Sequence, residues 1–172
     1  MHTAGDACSR AALTRRVRLR TGIRALVLDP DDRIALVRFD FPDRSVWAAP
    51  GGGVEEGEDD AATLARELRE ELGHELLAPI GSCVWVRTHV FPMSEWDGQT
   101  ERYYVIRAPA FELRPWLSPA ALRAEGVGEL RWWTPAELGA AKDVTFAPRR
   151  LPALLRELLR DGPRPEPVDV GV

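Results

Sequence analysis

Residues 52–74 read GGVEEGEDDAATLARELREELGH. Glycines open the stretch, a run of small and apolar residues at helical spacing follows, and Gly73 closes it. At 100° per residue, Ala61, Leu64, Ala65, Leu68 and Leu72 fall within an arc of about 100°, the width of a core-facing stripe. The spacing predicts a helix over 59–72. Asp59 and Asp60 favour its N-terminus through the macrodipole, and Gly73 supplies a left-handed residue that stops it. Glu67, Glu70 and Glu71 occupy a neighbouring arc, beside the buried stripe. Like charges at i, i+3 and i+4 repel by a few tenths of a kcal/mol per pair, roughly. At a half-buried position unpaired charge is costly. Either this face is solvated and laced with Glu–Arg pairs, or something cationic belongs there.

Charge elsewhere sharpens the choice. From Gly52 to His74 eight carboxylates face two arginines, a net of −6, whereas the whole chain carries −4. The remainder is therefore about +2. A concentrated negative region repels a bare polyanion but suits divalent cations, which take oxygen ligands and can then carry a phosphate. The six arginines between Arg10 and Arg24 read as a solvated basic arm or strand face rather than a nucleic-acid site. No membrane partner and no nucleic-acid polymer is expected.

The chain has 172 residues, 45% hydrophobic and 29% charged, which fits one globular domain. No apolar run approaches the ~20 residues of a membrane span. The N-terminus carries arginines without an apolar block, unlike a secretory signal. Cys8 and Cys83 make neither a disulfide framework nor a metal spacing, and free thiols point to a cytoplasmic setting. Residues 1–13, which include Cys8, are expected as a flexible tail, 14–160 as the domain, and 161–172 as a second flexible tail.

Along the domain, GIRALVLD and RIALVRF flank Pro30-Asp31-Asp32 and predict a hairpin, with strands near 22–28 and 33–39. Residues 41–57 read as loop. Residues 80–91 and 100–107 are strand-like, joined by the hairpin loop MSEWDGQ. Residues 109–128 read as a long irregular stretch with three prolines, and 129–133 as a last strand. A short helix starts at Thr134 with Pro135 at its first position, and 151–160 form an amphipathic helix.

With its loop included, the acidic helix resembles the Nudix box, G-x5-E-x7-R-E-U-x-E-E-x-G-U, where U is aliphatic. Gly52, Glu58, Arg66, Glu67, Leu68, Glu70, Glu71 and Gly73 match, and His74 stands where an aliphatic residue is usual. A looser likeness covers about 20–160. The resemblance implies an α+β fold in which a mixed sheet is sandwiched between helices. It implies Mg²⁺- or Mn²⁺-dependent hydrolysis of a nucleoside diphosphate linked to another group, such as a (d)NTP or an ADP-ribose-like compound. Glu67, Glu70 and Glu71 would bind metal with the Gly52 carbonyl, Glu58 and Arg66 would support them, and Glu67 or Glu71 would be candidates for activating water. In several family members an acid in the loop before the final strand supplies a further base. Here Glu125 and Glu129 compete for that place, and Glu125, followed by Gly126 and Gly128, is favoured. His74 packs behind the helix.

The bare chemistry agrees with this resemblance. Pyrophosphate hydrolysis needs charge neutralised on two phosphates and a water activated near neutral pH, which a hard divalent cation provides. A P-loop is a poor reading of the glycines, because no Lys-Ser or Lys-Thr follows. Trp47, Phe41 and Arg38 precede the box and are candidate substrate contacts, Trp47 by stacking a base. Phe39 is read as core. Arg87 and Arg102 are read first as solvated and second as contacts for phosphate or ribose. Two other readings stay open: a nucleotide-sensing module without turnover, and an isomerase on the same fold resembling isopentenyl diphosphate isomerase, for which Cys83 gives no clear nucleophile. The expected assembly is a monomer or homodimer.

Overall fold

The computed structural model describes residues 16–91 and 95–171. The tail expected over 1–13, with Cys8, lies outside them, as do residues 92–94, which include the first two residues of the loop MSEWDGQ. The elements in chain order are β1 (Leu19–Leu28), β2 (Ile34–Asp40), β3 (Ser45–Ala48), α1 (Asp60–Leu72), β4 (Trp85–Val90), β5 (Gly98–Arg107), α2 (Pro119–Ala124), β6 (Val127–Trp133), α3 (Pro135–Ala140), β7 (Phe146–Ala147), α4 (Leu151–Asp161) and β8 (Val168–Asp169). The strands form one mixed sheet in the order β7-β3-β2-β1-β5-β4-β8, with β6 also pairing β2.

The predicted hairpin forms only at its closed end, where Leu28 pairs with Ile34. Asp29, fully buried, organises that turn. Its carboxylate accepts from the backbone N–H of Asp31 at 3.0 Å and of Arg33 at 2.9 Å, and from Arg33 Nε at 2.7 Å. Beyond the turn the strands diverge. β1 pairs in parallel with β5 over its whole length, Leu19 opposite Gly98 through Leu28 opposite Arg107. β2 instead runs between β3 and β6, antiparallel to both. The sheet therefore splits at β2 and curls.

Each face of the sheet buries its own core. On one, Ile23, Ala25 and Val27 of β1 meet Leu64, Leu68 and Leu72 of α1, with Tyr104 and Ile106 of β5. On the other, Leu26 and Leu28 join Trp47, Trp85, Tyr103 and Trp133 beneath Leu151, Leu154, Leu155 and Leu158 of α4. The alternation of β1 thus feeds both layers, and the sheet is sandwiched between helices as the sequence predicts. Among the described residues, no helix is long and apolar enough to cross a membrane.

Helix α1 starts and stops where its sequence dictates. Asp59 caps it by accepting from Ala62 N–H at 2.8 Å. Gly73, at φ 69°, donates to the Arg69 carbonyl, and His74 donates to that of Leu68, a Schellman arrangement that only a left-handed residue allows. Likewise Thr134 and Glu137 form a capping box on α3, worth about 1 kcal/mol.

Four expectations change. The stretch 41–57 contains β3, which is held between β2 and the parallel bridge to β7. Within 80–91 the strand begins only at Trp85. The irregular stretch 109–128 contains α2, capped by Ser118. Residues 161–172 are not a free tail throughout: β8 pairs in parallel with β4, and Val170 is buried.

Candidate active site

The loop from β3 to α1 passes between β1 and the acidic flank of the helix. Ala25 N–H donates to the Pro50 carbonyl at 2.9 Å and Ile23 N–H to the Gly52 carbonyl at 2.8 Å, so the loop lies along β1 like an extra strand. This closeness explains two glycines. At Gly51, with φ 133°, a Cβ would run into the Ile23 carbonyl, and at Gly52 it would overlap the Glu67 carboxylate. The volume a side chain would fill at Gly52 is occupied by that carboxylate.

Helix α1 is rolled relative to the expected stripe. Its buried residues are Thr63, Leu64, Glu67, Leu68, Glu71 and Leu72, while Ala61 and Ala65 are only half-buried. Two carboxylates are therefore inside the protein rather than flanking its core. Glu71 is 3% exposed and accepts from Gly51 N–H at 2.8 Å. Burial pushes its pKa up to about 8, against the pull of the Gly51 N–H and the Arg24 charge, with Glu67 and Glu125 adding to the rise. Burial also raises Glu67, in spite of Arg66 and Arg24. Two such acids four residues apart indicate a site short of positive charge.

Arg66 is the organising cation. It grips both Glu58 oxygens, from Nε at 2.8 Å and from Nη2 at 3.0 Å, and also reaches Glu67 at 2.8 Å, Glu70 at 3.4 Å and the Gly53 carbonyl at 3.0 Å. This fork holds the Glu58 carboxyl down at about 2, helped by the Glu55 N–H and the Thr63 hydroxyl. At the start of the helix, Asp60 receives Arg102 and the Tyr104 hydroxyl, tying α1 to β5. Arg102 is thereby engaged in a structural ion pair, its side chain part-exposed.

The donor set suits a hard divalent cation. Glu67, Glu70 and Glu71 each keep one oxygen, Oε2, Oε1 and Oε1 respectively, with no protein hydrogen bond among the described residues. Those oxygens are all carboxylate, on one rigid helix, in a place where added positive charge relieves a buried excess. Among the described residues no three acidic, histidine or cysteine side chains already converge as a metal cluster; Arg66 holds one oxygen each of Glu67 and Glu70, and the Gly51 N–H one of Glu71.

The other candidates divide. Glu125 caps α2 on an exposed turn, and its charge reaches Glu71. Glu129 instead pairs with Arg38 at 2.5 Å. Arg38, expected as a substrate contact, also grips Asp40 at 2.9 Å. Phe41 is 49% exposed, with the Arg44 guanidinium 5.2 Å from its ring centroid. Trp47 is corrected: at 7% exposure it belongs to the core, edge-on to Trp133 at 5.2 Å. Pairing with β2 and β7 turns its side chain inward. Trp47→Ala is therefore expected to cost about 3–5 kcal/mol of stability, read as a lowered denaturant midpoint. A variant as stable as wild type but with a raised KM would restore the stacking role. His74 stacks on Phe111 at 4.4 Å, away from the carboxylates. Cys83 is half-buried, its thiol donating to the Trp85 carbonyl at 3.1 Å and its pKa raised by burial. A thiol so held is a poor nucleophile, which weighs against the isomerase reading.

A buried charge network escaped the sequence. Glu101, 2% exposed, accepts from Arg24 at 2.8 Å, Arg87 at 2.9 Å, Gln99 at 2.9 Å and the Tyr103 hydroxyl at 3.0 Å. Arg24 also donates to the Gly51 carbonyl, joining this network to the glycine loop. The available signal was alternation: Arg20 and Arg24, Gln99 and Glu101, and Arg87 and His89 each share a strand face.

A curled mixed sheet, a capped acidic helix and a glycine loop wrapped by that helix's carboxylates place a cluster of carboxylate oxygens at one end of the sheet. The NUDIX domain family model matches residues 18–155, and the chain belongs to this family. It is 32% identical over 102 residues to an RNA pyrophosphohydrolase of a Nitratiruptor species, covering 52% of this chain and 64% of that protein. It is 30% identical over 115 residues to the chloroplastic Nudix hydrolase 26 of Arabidopsis thaliana, covering 59% of this chain and 51% of that one. The chain thus spans less than two thirds of either relative. In fold it resembles the NUDIX domain of Shewanella oneidensis NrtR, solved with ADP ribose, with TM-score 0.62 and 18% identity over 84% of this chain and 90% of that chain.

Proposed function

We propose that this protein is a Mg²⁺- or Mn²⁺-dependent hydrolase of the pyrophosphate bond in a nucleoside diphosphate linked to a further group. One observation carries the reading: Glu67 and Glu71, both buried, lie on the same flank of α1 against the Gly51–Gly53 loop, in a region short of positive charge. Glu67, Glu70, Glu71 and the Gly52 carbonyl would hold the cation, with Glu58 and Arg66 fixing the helix flank from behind. When bound, the cation would neutralise charge on the phosphates and lower the pKa of a water. The protein's own part is to supply rigid oxygens, exclude solvent around Glu71, and offer a proton acceptor. The names of the relatives, an RNA pyrophosphohydrolase among them, support this class of reaction.

The test is release of pyrophosphate, phosphate or nucleoside monophosphate from a panel of (d)NTPs, ADP-ribose and 5′-triphosphorylated RNA, with Mg²⁺ and with EDTA. Turnover of at least one substrate with the metal, abolished by EDTA, is expected. Full-rate hydrolysis in EDTA, or none on any substrate, would contradict the proposal.

Glu125 is the proposed distal base, because its charge reaches Glu71 whereas Glu129 is engaged by Arg38. At saturating metal Glu125→Gln is expected to lose about tenfold or more in kcat with little change in KM, and Glu129→Gln to keep wild-type kcat. If Glu125→Gln turns over at the wild-type rate, the base is Glu67 or Glu71.

A further inference from the structure

The sheet extends past the core that α4 covers, and on that same face it becomes cationic. Arg87 stands opposite Glu101 and Glu101 opposite Gly22; one row further, His89 stands opposite Gln99 and Gln99 opposite Arg20. Because strand side chains alternate, Arg87, His89, Arg20 and Arg24 share the face of Trp85 and Tyr103. The Arg20 guanidinium occupies the space where a Cβ on Gly53 would stand, so this row reaches the glycine loop. Arg44 directly precedes β3 and Arg149 follows β7; these two strands pair, and their Trp47 and Phe146 share a core with Trp85, two residues before Arg87 on β4. Both exposed arginines therefore border this face, and their charges act on His89. Against these five arginines stand Glu101, paired with Arg24 and Arg87, and Asp43, paired with Arg44 at 3.3 Å.

Two details show that this face lacks an acceptor. Arg87 is 8% exposed, yet its Nε–H has no hydrogen-bond partner among the described residues. A buried donor left so costs about 1–3 kcal/mol, more when it is charged. Next to it, Arg87 Nη2 lies 3.4 Å from His89 Nδ1. A guanidinium only donates, so Nδ1 accepts and the ring proton sits on Nε2, giving another donor. Burial, with the charges of Arg87, Arg44 and Arg149, lowers the pKa of His89, which keeps the ring in this neutral form.

We propose that Arg87, His89, Arg44 and Arg149 form an anion subsite, set across the glycine loop from the carboxylates, that takes a phosphate of the substrate beyond the two joined by the scissile bond. The inference rests on the proposed function and narrows it. It assigns preference to substrates with three or more phosphates in a row over those with two. Opposite signs on the two sides of the loop sort the substrate: the acidic side needs a cation to accept phosphate, and the basic side does not.

That difference supplies the test. In EDTA the acidic side cannot recruit phosphate through metal, and nothing is turned over by the proposed mechanism. Calorimetric titration of the intact protein with ATP and with ADP-ribose then reads the basic side alone. Arg44→Ala/Arg149→Ala changes two exposed side chains, and His89→Gln serves as an independent variant. For each, the affinity for ATP should fall about tenfold more than the affinity for ADP-ribose. Equal losses for both ligands, or unchanged ATP binding in both variants, would overturn the subsite. The hydrolase reading fails separately, if wild type with Mg²⁺ cleaves none of the panel, whatever these titrations in EDTA show.

Discussion

Glu71→Gln is expected to lower kcat by about a hundredfold or more, the equivalent of losing roughly 2.7 kcal/mol of transition-state stabilisation. The same change should make the metal-free protein more stable at neutral pH. Gln keeps the acceptor for the Gly51 N–H and is neutral without the proton that Glu71 must take up to be buried at neutral pH. In the folded, metal-free chain the Glu71 carboxyl ionises near 8 instead of its ordinary 4.5. An acid whose pKa rises on folding keeps its proton in the native state after the unfolded chain has lost it. Stability is therefore fullest below about 4.5 and falls as pH rises through 8, by a few kcal/mol, on the order of 1.4 per unit of separation. Glu67, also raised, acts in the same direction. Urea midpoints measured in EDTA from pH 5 to 8 should decline for wild type and decline much less for Glu71→Gln. A flat wild-type profile, or a variant that keeps half the activity, would contradict this placement of Glu71.

Glu101→Gln should be the most destabilising single change in the polar interior. It removes the only carboxylate that bonds both Arg24 and Arg87 among the described residues, and it sets an amide N–H₂ among donors. Breaking a buried pair from one side costs about 3–5 kcal/mol, because the stranded charge stays buried. For a domain of this size that lowers Tm by on the order of 10 °C. Activity should fall with it at moderate temperature, since Arg24 also holds the Gly51 carbonyl. Thermal unfolding by circular dichroism decides the matter: a Tm within 2 °C of wild type, roughly 1 kcal/mol or less, would mean that the arginines find other partners and that Glu101 is dispensable.

The boundaries of α1 were legible because they rest on local chemistry. Asp59 and Gly73 act within a turn of themselves, and periodic leucines mark one side of a helix without ambiguity. Its rotation was not legible. A helical wheel gives the arcs of Ala61, Ala65, Glu67 and Glu71, but the Gly51 N–H and Arg66 decide which arc turns inward, and they come from the loop and the fork to Glu58. Trp47 failed for a related reason. Its segment sits among Pro42, Ser45 and Pro50 and reads as loop, while β3 exists only through its pairing with β2 and β7. β8 is two residues long and preceded by Pro163, Pro165 and Pro167, so its partner β4, not its composition, makes it a strand. Arg24 looked like one more basic residue in a run. That it faces a buried glutamate depends on the parallel register with β5, more than seventy residues away.

On the proposed function, the acidic flank of α1 holds a divalent cation. Titration with Mn²⁺, following the free ion by electron paramagnetic resonance, tests it without reference to any substrate. Wild type should withdraw Mn²⁺ from solution, and Glu70→Gln and Glu71→Gln should each weaken that binding at least tenfold while remaining folded. Equal Mn²⁺ binding by wild type and both variants, or none by wild type, would contradict a cation site on this flank.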